Sequence, residues 1–210
     1  MKLMRRILLA LAVCLVASSL PLRAQIPDDV KPILNKVEDW LDDPQGIDIN
    51  MTVKVMVMKV KMRTRSKGDK MLMTMTTTMF GKTMTMEEGY DGKQSWEYDS
   101  TKELLTIDSS PEEVKNDNDF DLAMVSMYNK AKMKTTDKAY EITLTSPKDK
   151  EVPDKLVVKA RRSDCRPTEM AFGSGMKKAT ITIESIKKGV ADSVFEFDTK
   201  KYPNAKIVRK

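Results

Sequence analysis

The chain has 210 residues, 37 Lys plus Arg against 31 Asp plus Glu, and 40% hydrophobic residues, enough for one domain with a sizeable core. It contains no His and only two Cys, which excludes Ser/His/Asp and Cys/His catalysis and removes the commonest metal ligand. The net charge of +6 is no sign of nucleic-acid binding. Residues 1–24 hold Lys2, Arg5, Arg6 and Arg23, and without them 33 basic residues face 31 acidic ones, a net charge of +2.

Those first residues read as a secretory signal peptide: basic residues, an apolar run from Ile7 to Val16, then Ser18, Ser19, Pro21 and the sequence LRAQ, with cleavage expected after Ala24. The run is too short to anchor the chain across a bilayer. Cys14 lies inside it behind Val13, where a lipobox would want a small residue, so lipid attachment is not expected. Residues 25–210 are expected to form one domain, and Cys165 alone cannot make an internal disulfide.

Residues 28–43, DDVKPILNKVEDWLDD, place Val30, Ile33, Leu34, Val37, Trp40 and Leu41 at helical spacing, with Pro32 tolerated in the first turn. Pro44 and Gly46 end that helix. From Ile47 the period becomes two. MTVKVMVMKVKMRTR puts Val53, Val55 and Val57 on one face, then Met56, Met58, Val60 and Met62 on the other, which suggests a strand with a change of phase or a bulge.

SKGD at 66–69 is a hairpin turn, and KMLMTMTTTM alternates Met71, Met73, Met75 and Met79 with Thr74, Thr76 and Thr78. TMTMEEGYDG continues with Met84 and Met86, followed by QSWEYDS and ELLTI after further turns. Five strands in an antiparallel meander are expected. Ser110 to Glu113 resembles a helix start, and a helix is expected from about Asp119 through NDNDFDLAMVSMYNKAKM. AYEITLT, KLVVKA, TEMAFG, KATITIESI and SVFEFD then read as a second set of strands.

Ten of the fifteen methionines beyond residue 24 fall between Met51 and Met86. One reading is an ordinary sheet face packed by a helix. A second is a deformable apolar wall, because an unbranched thioether repacks around ligands more readily than Val or Ile. A third is a set of soft sulfur ligands for Cu(I) or Ag(I). The remaining candidates are weak. Glu87/Glu88 and Glu112/Glu113 are adjacent in sequence and point to opposite strand faces, NDND lacks the rest of a calcium loop, and GSG at 173–175 is a turn.

The order of these elements, with GYDGKQSWEYDSTKELLTI (89–107) and KKATITIESIKKGVADSVFEFDTKKYPNAKIV (177–208), resembles the periplasmic outer-membrane lipoprotein carrier family, LolA-like in fold. The resemblance implies a mainly antiparallel, strongly curved, unclosed β half-barrel with covering helices and an apolar cavity for acyl chains. It also implies a periplasmic location in a Gram-negative envelope and a non-enzymatic carrier without cofactor. Its expected partners are lipid or lipoprotein acyl chains and membrane-associated donor and acceptor proteins, and a monomer is expected. The cavity-lining residues would be Met56, Met58, Met71, Met73, Met75, Met79, Met84, Met86 and Trp96, with Trp40 and Leu41 on the covering helix. Where that family carries a lid-latching arginine, this chain reads MTMTTTMFGKTMTMEE and has none. Envelope sensors of the same fold, acting through a protein partner, are the other implied role.

Overall fold

In the computed structural model, residues 26–109, 125, 127–147, 152–175 and 178–210 are described. The expected signal peptide, the expected helix start at 110–113 and the expected helix from Asp119 to Met124 lie outside them. The chain divides into two compact units, residues 1–42 with 117–182 and residues 43–116 with 183–210.

In the first unit, α1 (Lys31–Leu41) is shorter than the 28–43 stretch expected. Residues 28–30 form a turn instead, with the amide of Val30 bonded to the Pro27 carbonyl at 2.9 Å. Pro32 stands where its missing N–H costs nothing, and the extended backbone of Asp42 ends the helix ahead of Pro44. Val30, Leu34 and Val37 share one face and are buried. They pack with the alternating inward residues of β8 (Ala139–Pro147) and β9 (Lys155–Arg161), namely Ile142, Leu144, Leu156, Val158 and Ala160. Each such burial contributes about 1.5–3 kcal/mol, which is what holds a short helix that would not be stable alone.

β7 (Tyr128–Thr135) corrects the sequence reading, which carried a helix through MYNKAKM. The run alternates: Ala131 and Met133 are half-buried between exposed Lys130, Lys132 and Lys134. Those lysines also belong to a period of two, and they mark an edge strand. β10 (Pro167–Phe172) and β11 (Ala179–Lys188) follow as expected, with a register irregularity between Pro167 and Glu169, where a ladder N–H is missing.

The second unit begins with a six-strand antiparallel meander: β1 (Ile47–Val55), β2 (Met58–Lys67), β3 (Lys70–Met79), β4 (Lys82–Tyr90), β5 (Ser95–Asp99) and β6 (Leu104–Asp108). The sequence suggested one long strand where β1 and β2 lie. A two-residue turn at Met56–Val57 divides it, with Val55 opposite Met58. The apparent change of phase is this turn. Two loop residues move the inward set from odd to even positions, so Val53 and Val55 share a face with Met58, Val60 and Met62. Neither Met nor Val signals a turn, and Met56 adopts φ of 53° to make one.

SVFEFD is the other correction. Asp192–Phe195 forms a 3-10 helix, and the segment packs on the sheet instead of joining it. Phe195 is buried with Leu72, Trp96, Leu105, Ile107, Val190 and Tyr202, so the apolar alternation of Val194, Phe195 and Phe197 reports core packing. β12 (Lys206–Arg209) then lies parallel to β6.

All twelve strands belong to one sheet in the order β12-β6-β5-β4-β3-β2-β1-β11-β10-β9-β8-β7. The ladders β1–β2, β2–β3, β3–β4, β4–β5, β5–β6, β7–β8, β8–β9, β9–β10 and β10–β11 are antiparallel, and the order does not close on itself, as the half-barrel class requires. No helix among the described residues is long and apolar enough to cross a membrane.

Candidate functional site

Directly opposite residues of an antiparallel ladder share a face. Met51 is opposite Met62, Met62 opposite Met75, and Met75 opposite Met86, so four thioethers form one row across β1 to β4. One register step toward Tyr90, Met73 stands between Thr64 and Glu88, and Met71 stands between Ser66 and Tyr90. Toward the opposite end of the strands lie Met84 beside Thr77, Met58 beside Val55, and Met79 beside Lys82. Nine methionines therefore occupy one face of the meander. Met75, at the middle of the row, is 4% exposed, and Met51, Met62, Met73 and Met86 are half-buried.

The sequence located most of this face. Met58, Met71, Met73, Met75, Met79, Met84 and Met86 all lie on it. Met51 and Met62 were missed, because without the turn at Met56–Val57 the parity of β1 and β2 could not be joined to that of β3. Met56 itself leaves the face: it forms the turn and is 65% exposed. Trp96 leaves it too. It is opposite Gly89 and Ile107, on the reverse face, and its ring lies 4.9 Å from that of Phe197 in the core under the C-terminal segment. Aromatic residues two apart on one strand, Trp96 and Tyr98, do share a face, but it is the other one.

Trp40 and Leu41 belong to the first unit. The Trp40 indole N–H donates to the Asp164 carbonyl at 3.0 Å, the Arg166 guanidinium stands 5.9 Å from its ring, and Leu41 packs beside the α1 core.

The reverse face of the meander carries the apolar cluster of Leu72, Trp96, Leu105 and Ile107 and, beside it, a group of charged residues. Asp48 accepts two bonds from Arg63, at 2.9 and 2.6 Å, and this pairing holds its carboxyl below the usual value against the opposing effect of burial. Arg65 sits directly opposite Asp48, yet its buried Nε has no partner among the described residues. Burial, with Arg63 alongside, lowers its pKa. Glu87 accepts a hydrogen bond from the Tyr202 hydroxyl and longer ones from Trp96 Nε1 at 3.5 Å and Thr74 at 3.4 Å. Burial pushes the Tyr202 phenol up, and the Glu87 carboxylate adds to that. At the strand ends away from Met79, Lys67 and Lys70 both bond Asp192 at 2.9 Å and hold its carboxyl at about 2.

A shallow depression of about 230 Å³ is lined by Asn50, Lys61, Arg63, Arg65, Thr74, Thr76 and Glu184 together with Met51 and Met62. Its lining mixes charged, hydroxyl and thioether groups. Among the described residues no three His, Cys, Asp or Glu side chains gather into a metal site. The soft donors that stand in a group among the described residues are the methionines.

The open, mainly antiparallel sheet is the half-barrel architecture that the sequence resemblance implied. No protein-family model matches the chain, and no curated protein matches it. Among solved structures, an uncharacterized conserved protein from Thermus thermophilus superposes with a TM-score of 0.54 at 13% identity, over 87% of this chain and 100% of that one. MucB superposes at 0.51 with 10% identity, over 82% of this chain, which spans 64% of MucB's length. A LolA superfamily protein from Nitrosomonas europaea is matched at 0.34 and 14% identity, over 80% and 97% of the two chains. That last superposition is too loose to argue from. The first two establish the fold and say nothing of activity.

Proposed function

We propose that this chain is a non-enzymatic lipid-binding protein of the Gram-negative periplasm, and that the methionine face receives the acyl chains of lipoproteins or other lipids. The observation that carries the proposal is the four-methionine row, Met51, Met62, Met75 and Met86, flanked by five further methionines on the same face. Val or Ile would suit strands better. Met is unbranched and polarizable, and a wall of it accommodates chains of differing length and unsaturation at low cost. Each methylene removed from water contributes about 0.8 kcal/mol, so an acyl chain can be held firmly without a single polar contact. Delivery would involve membrane-associated donor and acceptor proteins. MucB, which shares the fold, has been solved in complex with MucA, so a sensor acting through a protein partner is the alternative within this class.

Native mass spectrometry of protein purified from a cell envelope should show a bound lipid or acylated species, and a fluorescent fatty acid should be displaced by unlabelled lipid. Met62→Asp places a charge in the centre of the row at a half-buried position and should weaken probe binding at least tenfold. Repeated absence of bound lipid together with no probe binding overturns the proposal. The same row favours one other reading, a Cu(I) or Ag(I) site. Replacing Met51, Met62 and Met86 by Leu separates the two. Volume is kept, so lipid binding survives, whereas stoichiometric metal uptake would be lost.

A further inference from the structure

Two hairpin tips at one end of the meander carry features that the methionine face does not use. The β1–β2 turn at Met56–Val57 and the β3–β4 turn at Phe80–Gly81 end neighbouring hairpins. Val60 stands opposite Thr77, which sets Met58 level with Met79 and brings both tips to the same end of the strands. Val57 is 95% exposed, Phe80 98% and Met56 65%. Met56 and Phe80 also adopt φ of 53° and 51°, the left-handed conformation that hairpin turns usually give to Asn, Asp or Gly. A single exposed apolar side chain is ordinary. Three on two adjacent tips, two of them in a backbone conformation their side chains disfavour, are not explained by packing within the sheet.

The charges behind the tips point the same way. Lys54 and Lys59 are directly opposite one another, an arrangement of like charges that is destabilising in isolation. Lys61 follows on the same strand, and Lys82 begins β4 next to Phe80 and Gly81. None of the four has an ion-pair partner among the described residues. The nearest acid along β4 is Glu87, five residues from Lys82, which is roughly 16 Å at the rise of a strand. Apolar tips with a collar of unpaired lysines match the profile of a membrane interface with anionic headgroups.

We propose that this end of the meander docks on an anionic lipid surface, with Met56, Val57 and Phe80 entering the acyl boundary while Lys54, Lys59, Lys61 and Lys82 meet the headgroup phosphates. The phosphates would relieve the Lys54–Lys59 repulsion. A free phosphate would have no use for the apolar tips, so the lipid surface is the occupant that uses both. The docking stands apart from acyl binding on the methionine face and does not depend on it.

The test is flotation with vesicles of phosphatidylcholine alone and of phosphatidylcholine with roughly a third phosphatidylglycerol, enough to give the surface a negative potential. The protein is recovered from an expressing envelope, and intact mass confirms that wild type and variants have the same N-terminus. Wild type should partition at least tenfold better onto the anionic vesicles, and that preference should fall as salt rises. Val57→Ser with Phe80→Ser changes only exposed side chains and should reduce partitioning at least tenfold while leaving fatty-acid probe binding unchanged. Lys54→Gln with Lys59→Gln should remove most of the preference for anionic vesicles and raise the unfolding midpoint slightly. The proposal is overturned if wild type does not float with anionic vesicles, if the serine variant floats as well as wild type, or if the glutamine variant keeps the full anionic preference. Loss of vesicle binding with intact probe binding separates this docking from the acyl-binding proposal.

Discussion

A methyl group added at Gly89 tests how the core on the reverse face of the meander is built. Gly89 stands opposite Trp96 in the β4–β5 ladder, and a Cβ there would lie 2.1 Å from Trp96 Cζ2, 2.3 Å from Cε2 and 2.6 Å from Cη2. Ordinary contact begins at 3.4 Å, so the indole would have to retreat by about 1.3 Å. It has nowhere to go. The Phe197 ring is 4.9 Å from it, centroid to centroid, and Trp96 is 4% exposed among Leu72, Leu105, Ile107 and Phe195. Gly89→Ala gains about 0.4–1 kcal/mol from a less flexible unfolded chain, and overpacking costs about 1–3 kcal/mol.

The overpacking term wins because neither the backbone of β4 nor the wedged ring is a flexible side-chain end. A net loss of about 1–2 kcal/mol is expected, equivalent to a fall in Tm of about 2–8 °C at this chain length. Guanidinium denaturation of Gly89→Ala, Trp96→Phe and the double variant measures it. In the Trp96→Phe background the smaller ring leaves room for the methyl, so the cost of Gly89→Ala should shrink by at least about 1 kcal/mol of coupling. An additive cycle, or a Gly89→Ala protein as stable as wild type, refutes the close approach on which the reasoning rests.

Asp48→Asn removes the acceptor that pairs Arg63 and leaves Arg63 and Arg65 as uncompensated neighbours. The cost at pH 7 should be about 1 kcal/mol, kept small because Arg63 is half-exposed and water takes over part of its bonding. The Asp48 carboxyl is held below 3.8 in the folded protein, so its contribution is full above that pH and fades as pH falls below it. Urea midpoints from pH 7 to 3 should therefore fall less steeply for Asp48→Asn than for wild type. Tyr202→Phe keeps the ring contact with Tyr98 but removes the bond to Glu87, and should cost about 1.5–3 kcal/mol at neutral pH. Burial raises the Tyr202 phenol above its usual 10.0, so its stabilisation is complete below pH 10 and is lost as pH climbs beyond it. In ultraviolet difference absorbance, one tyrosine should stay protonated until the protein unfolds, and Tyr202→Phe should remove that late phase.

The parts of this fold legible in the sequence are those where side-chain period and burial agree. Val30, Leu34 and Val37 are three and four apart and all buried, and the odd methionines of KMLMTMTTTM do share one face. What escaped the reading had a physical reason in each case. Met56–Val57 makes a hairpin turn without Gly, Asn or Asp, so no turn chemistry announced it, and Met51 and Met62 could not be joined to the row. SVFEFD alternates like a strand, yet Phe195 and Phe197 are apolar because Trp96 and its neighbours need a cover. Tyr128 to Met133 fits both periods, since Tyr128, Ala131 and Met133 can be counted by three or by two, and only the ladder to β8 decides it. A face cannot be assigned to Trp96 from alternation alone, because parity carries across a turn only if its length is known.

That dependence on turn length has a genetic side. Hairpin loops usually absorb insertions and deletions with little harm. In this meander the turns at 56–57, 68–69 and 80–81 each contain two residues, and each fixes whether odd or even positions of the next strand join the methionine row. One residue more or fewer at any of them would either shift the ladder or turn lysines and arginines toward the side now held by thioethers. Substitutions at these exposed tips should leave the fold intact, whereas single-codon changes in their length should be among the most damaging lesions to it. The composition of the apolar wall can drift, but the spacing that assembles it cannot.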